Sequence, residues 1–411
     1  MTLLYPFLTD KTPGLEQVGG KAMSLISMTK HGLPVPSGFV LTMAFFQPWL
    51  DLVVASAEWS QVLDNAPQDL EQNCGAVKAL CMGLELDAAR HDILAQALAS
   101  LDTGDQPCLF AVRSSSPEED LEGLSFAGGY ETVLGVRDDD LEDAIRRSFA
   151  SAFDSRVFLY KQEHGLAVDQ PRIAVIVQQQ IPAETAGVAF SLNPVNNCYD
   201  EAVISANFGL GESVVGGMVS PDSFTVDKGS RTILETKTGH KGTSVWLKPG
   251  GGTYLRRSAS HAHPCLSDQQ VLELTDMIVQ VEDYYRKPVD IEWAFVRANG
   301  SGQKLYLLQA RPITAYVPLP EELLTPPEKP KRVYLDLTLV KWGMHNPLSV
   351  MGMHYLAMAN AGMLRTALGP DLESDVVNAI RPTLGGRVYV NASISLRMQG
   401  VKRLVSSFRL M

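Results

Sequence analysis

The chain has 411 residues, 45% of them hydrophobic and 20% charged, enough for two or three domains with a large buried core. A formal net charge of −11 argues against nucleic acid or an anionic membrane as a general partner, so a polyanion has to be met by local basic residues and a metal ion. Five scattered cysteines without a CxxC pair point away from a zinc site or a disulfide framework.

No apolar run reaches the roughly 18 residues that span a bilayer. The opening MTLLYPFLTDKTPG has an early acid and no basic leader, so a cytoplasmic protein is expected. KAMSLISMTKHG has helical periodicity and a stop at Gly32, and PVPSGFVLT reads as a turn entering a strand. Residues 40–100 read as a helical subdomain. CLFAVRSS and YETVLGV read as strands, and DDDLEDAIRRSFASAFDSRVFLYKQE as one long helix with acids at its N-terminus. RIAVIVQQQI is a continuous apolar, β-branched run, expected as a buried central strand. AGVAFSL, EAVISANF, DSFTVDK, RTILETKTG and TYLRRS predict further strands, the last three an antiparallel layer. Ser267 opens a helix with Gln270 completing a capping box. VDIEWAFV and KLYLLQARPI predict a hairpin around the tip Ala298–Gly302. Pro318–Pro330 reads as an extended linker. RVYLDLT, a helix over Leu348–Leu364 and GGRVYVN then open a further domain, expected to be incomplete because the sequence ends at SSFRLM.

Four separated features suit a polyphosphate. Lys21 stands beside two glycines at a helix start, where an ammonium can meet phosphate; alone it reads as a surface lysine. In FAVRSSSPEEDLEGLSFAGGYET (Phe110–Thr132), Arg113 ends an apolar run and hydroxyls, an acidic loop and a Gly-Gly turn follow. Arginine offers a planar charged fork, and glycine lets backbone N–H groups approach an anion. VQQQIPAETAGVAF joins a buried strand to a turn whose edge can line a purine. In the last feature, Asp290 and Glu292 share one strand face, as do Gln309 and Arg311. Paired strands then present a carboxylate and an amide oxygen for Mg²⁺ and a guanidinium for the terminal phosphate. Taken alone, the same hairpin also reads as an exposed surface.

Together, GGK, FAVRSS…SFAG, VIVQ, AGVAFS, GLGE with SPDSF downstream, DIEW and LLQARPIT resemble the nucleotide-binding domain of the phosphoenolpyruvate synthase and pyruvate phosphate dikinase family, which includes rifampicin phosphotransferases. The likeness runs in order through about residues 10–315. It implies an α+β, ATP-grasp fold, two lobes around a nucleotide cleft, over residues 1–315. A linker at 316–332 and the start of an acceptor-substrate-like domain at 333–411 are expected after it. The resemblance further implies phosphate contacts from Lys21 and Arg113, a phosphate-covering loop holding Gly128 and Thr132, and Gln178 on the strand lining the nucleotide. It also implies Glu292 and Gln309 as ligands of Mg²⁺ and Arg311 at the γ-phosphate end, with Lys21, Arg113 and Arg311 as the catalytic cations. Gln180 departs from the family's VQ-x-M-V pattern by replacing an apolar residue in the adenine wall, and the hairpin tip is longer than in many relatives.

Members of this family pass phosphate from ATP to a histidine in a GG-x-[ST]-[SC]-H motif on a swivelling domain. None of the eight histidines here has that context. The implied activity is a dikinase-type phosphotransferase module whose histidine domain is supplied in trans or by a further C-terminal region. Its acceptor is pyruvate or another small molecule. A noncatalytic subunit partnering a histidine-bearing protein is the alternative. An acyl-phosphate ligase fits less well, because FAVRSS and QARPIT belong to the dikinase branch.

Overall fold

A computed structural model describes residues 2–64, 67–101, 108–118, 130–257, 263–297, 302–314, 316, 319–323, 329–330, 332–340 and 347–397. The expected phosphate-loop residue Gly128, His261, His345 and most of the tip Ala298–Gly302 lie outside them. The chain divides into two compact units, Met1–Tyr316 and Val317–Met411.

In the first unit, β1 (Leu4–Pro6) and β2 (Gly38–Leu41) flank the helix Leu15–Lys30. The helices Gln47–Val54, Ala57–Asp64, Leu70–Met82 and Ala88–Ser100 follow, then β3 (Phe110–Ser115), β4 (Thr132–Val136) and β5 (Ala174–Gln179). These strands form an antiparallel sheet in the order β1-β2-β5-β3-β4. As its sequence predicts, β5 is central and buried on both sides. Ala174 and Ile176 join a core with the Leu15–Lys30 helix, and Val175 and Val177 join a second core against the N-terminal helices.

Next come β6 (Thr185–Phe190), β7 (Glu201–Phe208), β8 (Asp222–Asp227), β9 (Thr232–Lys237), β10 (Thr243–Leu247) and β11 (Thr253–Arg257). The helix Asp268–Tyr285, β12 (Val289–Arg297) and β13 (Gln303–Pro312) complete the unit. A second antiparallel sheet runs β13-β12-β6-β7-β8-β9. The helix Asp268–Tyr285 starts at the expected Ser267–Gln270 capping box and buries Val271, Leu274, Ile278 and Val281 against that sheet. β10 and β11 form a separate ribbon that touches both sheets: Gly252 N–H donates to Gly135 O (2.7 Å) beside β4, and Leu210 N–H to Val245 O (2.8 Å) after β7.

Three expectations change. TYLRRS, expected in one antiparallel layer with DSFTVDK and RTILETKTG, pairs instead with β10 in the separate ribbon, while the other two stay together in the second sheet. The helix over residues 138–163 is broken into Leu141–Ala150 and Ser155–Glu163, because Asp154 takes extended backbone and caps the second segment through Arg156 N–H. β10 carries no clear alternation and is missing from the sequence reading. A buried ion pair holds the base of β8: Asp222 and Lys241 are both fully buried, and Asp222 also accepts the N–H groups of Gly239 (2.8 Å) and Cys265 (2.7 Å).

The second unit holds, among its described residues, the strands β14 (Tyr334–Asp336), β15 (Thr383–Leu384) and β16 (Arg387–Asn391) in the order β14-β16-β15. Its longest described helix runs Val350–Leu368, and Arg387 pairs with Asp336 at 3.1 Å. Among the described residues no helix is long and apolar enough to cross a membrane, and the five cysteines are unpaired. Cys74 and Cys81 are core residues, and burial pushes their thiols up to about 11 and about 12.

Candidate functional site

Lys21 owes its position to Gly19. The helix Leu15–Lys30 is kinked there, at φ 75° and ψ 169°, backbone that L side chains rarely adopt. A Cβ on Gly19 would also lie 2.5 Å from the Ser115 carbonyl carbon. The close approach lets the end of β3 satisfy the orphan N–H groups of the restarted helix: Gly20 N–H donates to Ser116 O (3.3 Å) and Ala22 N–H to Ser115 Oγ (3.1 Å). Lys21 is thereby fixed in the first turn of a helix pinned to the strand that carries Arg113. One turn on, Ser24 Oγ donates to Ala310 O (2.6 Å) and accepts from Tyr285 OH (2.8 Å), tying the same helix to β13.

The hairpin has the expected register. Asp290 stands opposite Arg311 and Glu292 opposite Gln309. A bulge follows, with Trp293 opposite Leu307, so Leu308 and Gln309 both line the cleft despite being neighbours. Arg311 Nε donates to both carboxylate oxygens of Asp290 (2.9 and 3.0 Å). Arg113 reaches across from the other sheet: Nη2 donates to Glu292 Oε2 (2.9 Å) and Gln309 Oε1 (2.7 Å), and Nη1 to Leu308 O (3.2 Å). Its Nε is buried with no hydrogen-bond partner, a donor left for an anion.

One cavity of about 310 Å³ gathers these groups. Lys21, Arg113, Thr132, Gln178, Glu292, Gln309 and Arg311 all line it. Thr132 is the cross-strand neighbour of Arg113, and Gln178 is buried, its amide donating to Pro36 O (3.3 Å). Three cations thus meet beside Asp290 and Glu292 in a chain of strongly negative net charge. The cavity also has an apolar stretch. Along β12 the lining changes from Glu292 to Ala294, and Ala294 packs with Ile181, Ala183, Ala186 and Leu210.

The implied Mg²⁺ can be tested against these residues. One Arg113 nitrogen sits within 2.9 Å of a carboxylate oxygen and 2.7 Å of an amide oxygen, so a single positive charge already occupies the space between Glu292 and Gln309. Hard oxygen donors converging on one cation fit Mg²⁺, which takes few protein ligands and fills its octahedron with water and phosphate.

Sequence reasoning assigned no role to Asp290 as the holder of Arg311, to the Leu308 carbonyl, or to Gly211 and Glu212, which wall the cavity at the start of a short helix. The GLGE motif was the available signal for that wall.

A family model described as pyruvate phosphate dikinase, AMP/ATP-binding domain, matches residues 15–322. The chain belongs to that family. Its architecture of two antiparallel sheets around a cleft is of the expected α+β class. The phosphoenolpyruvate synthase of Pyrococcus furiosus is 33% identical over 344 residues, covering 72% of this chain and 42% of that protein. The uncharacterized phosphotransferase YvkC of Bacillus subtilis is 36% identical over 301 residues, covering 72% of this chain and 33% of that protein. The rifampicin phosphotransferase of Bacillus subtilis is 28% identical over 363 residues, covering 86% of this chain and 40% of that protein. The chain therefore spans less than half the length of these curated relatives.

Proposed function

We propose that this chain is the nucleotide half of a phosphotransferase. It binds Mg-ATP and passes phosphate to a histidine of a swivelling domain, for onward transfer to pyruvate or to a small-molecule hydroxyl. The histidine domain is supplied by a further region or by a separate polypeptide. The observation that carries the reading is the convergence of Lys21, Arg113, Gln309 and Arg311, from a helix and two sheets, in one cavity with an apolar stretch.

Phosphoryl transfer asks a protein mainly for positioning and electrostatics, because the transferring group carries its charge on oxygens. Lys21 and Arg311 neutralise that charge from the helix and hairpin sides. Arg113 turns from Glu292 and Gln309 to the phosphate and brings its unpartnered Nε–H to an oxygen. Glu292 and Gln309 would hold Mg²⁺, which would supply Lewis-acid polarisation of the phosphate oxygens. Asp290 keeps the Arg311 guanidinium aimed. The bond that forms joins an imidazole nitrogen to the β-phosphorus as the bond from that phosphorus to the α–β bridging oxygen breaks and AMP leaves; water then cleaves the β–γ linkage, releasing inorganic phosphate and leaving phosphohistidine.

The test is to incubate the chain with ATP, Mg²⁺ and a histidine domain from a relative, and to look for phosphohistidine by mass spectrometry. Phosphohistidine with AMP as the nucleotide product is expected, and both should vanish in Glu292→Ala and Arg311→Ala proteins that remain folded. ATP binding without phosphohistidine would replace the enzyme reading by a binding subunit. Turnover unchanged in both variants would remove these residues from the site.

A further inference from the structure

Gln180 presents a hydrogen-bonding group that the phosphate chemistry leaves unused. It follows β5, its N–H donates to Leu109 O (2.7 Å), and its side chain lines the cavity beside Ile181 and Ala183. The side-chain oxygen Oε1 is buried and has no hydrogen-bond partner. The other amide atom lies 3.5 Å from the Ile181 carbonyl oxygen. That neighbour is an acceptor and favours the NH₂ end, so the end left without a partner is the acceptor oxygen. A buried acceptor without a donor costs stability, and such a group on a cavity wall calls for a ligand N–H.

Its place along the cleft says which part of the ligand. Arg113 and Leu109 are four steps apart in the β3 segment, roughly 13 Å at 3.3 Å per residue. A ribose triphosphate whose phosphates lie at Arg113 extends its base toward the Leu109 end, where Gln180 and the apolar residues gather.

Resting on the nucleotide reading above, we propose that Gln180 reads the base. Its amide oxygen accepts an N–H of a 6-amino purine, so the site selects adenine over a 6-oxo purine. A 6-oxo group would set oxygen against oxygen there, while the NH₂ end is kept toward Ile181 O. Gln180 is a specificity residue, separate from the groups that bind phosphate.

The experiment measures binding of ATP and of inosine triphosphate, with Mg²⁺, to the 411-residue chain and to Gln180→Met and Gln180→Leu proteins by calorimetry. The wild-type chain should favour ATP by about tenfold or more, and in both variants the ratio should fall to within about threefold, the range of one lost hydrogen bond. A ratio within one preparation does not depend on the folded fraction, so a partly unfolded variant still reports. Equal binding of the two nucleotides by the wild type, or an unchanged preference in both variants, overturns the role of Gln180. If the wild type binds neither nucleotide, the nucleotide reading itself fails, a separate outcome.

Discussion

Arg113 holds Glu292 and Gln309 in the free protein, which leads to an expectation of opposite signs for two ligands. Replacing it by methionine removes a cation that competes with metal for the same two oxygens. A charge-assisted hydrogen bond of this kind contributes ~1.5–3 kcal/mol, so its removal should tighten metal binding to the nucleotide-free chain by about tenfold or more. Glu292 keeps 27% of its side chain exposed, so water can hydrate the released carboxylate and the fold should survive. The same change deletes the phosphate contact proposed for Arg113, and ATP affinity should drop by about thirtyfold, equivalent to ~2 kcal/mol. Mn²⁺ serves as the spectroscopic probe: free Mn²⁺ is followed by electron paramagnetic resonance during titration, with and without ATP, and circular dichroism checks folding. Mn²⁺ binding that weakens in Arg113→Met along with ATP binding would refute the view that this guanidinium occupies the metal position.

Two further outcomes concern stability. Lys241→Met leaves the fully buried Asp222 carboxylate without its ammonium, and urea unfolding should show a loss of about 3–5 kcal/mol, partly restored by adding Asp222→Asn; a loss below about 1 kcal/mol would contradict this. For Asp154, burial raises the carboxyl pKa, but hydrogen bonds from Arg156 and Lys78 outweigh it and hold the group at about 2. A depressed folded pKa contributes stability that is complete above the usual carboxylate range near 4 and is lost as pH falls toward 2. Asparagine still caps the helix, so Asp154→Asn should cost at most ~1 kcal/mol at pH 6, with the difference in melting temperature from wild type closing between pH 4 and pH 2. A difference constant over that window would place the effect outside the ionic contacts.

The sequence disclosed the site best where a short-range period controls it. Two-residue alternation put Glu292, Gln309 and Arg311 on one face, and an unbroken apolar run marked β5 as central. It did less well where distant parts set the outcome. The helix over residues 138–163 has continuous propensity, and only the extended backbone at Asp154, held by Lys78 and Arg156, interrupts it. The bulge at Leu308 and the reach of Arg113 across two sheets depend on register between strands far apart in the chain. Gly19 read as room for phosphate, whereas its positive φ and the 2.5 Å approach to Ser115 show it making room for β3. Gln180 was visible as an oddity of composition. Its unpartnered oxygen needed coordinates.

The stitching of Ser24 to Ala310 and Tyr285 makes the nucleotide cleft a gauge of fixed aperture. Since Ala310 lies between Gln309 and Arg311, the main chain that carries the lysine and the main chain that carries the terminal arginine cannot drift apart independently. Sliding the frame would first require breaking a hydroxyl relay that is buried at Ser24 and half-buried at Tyr285.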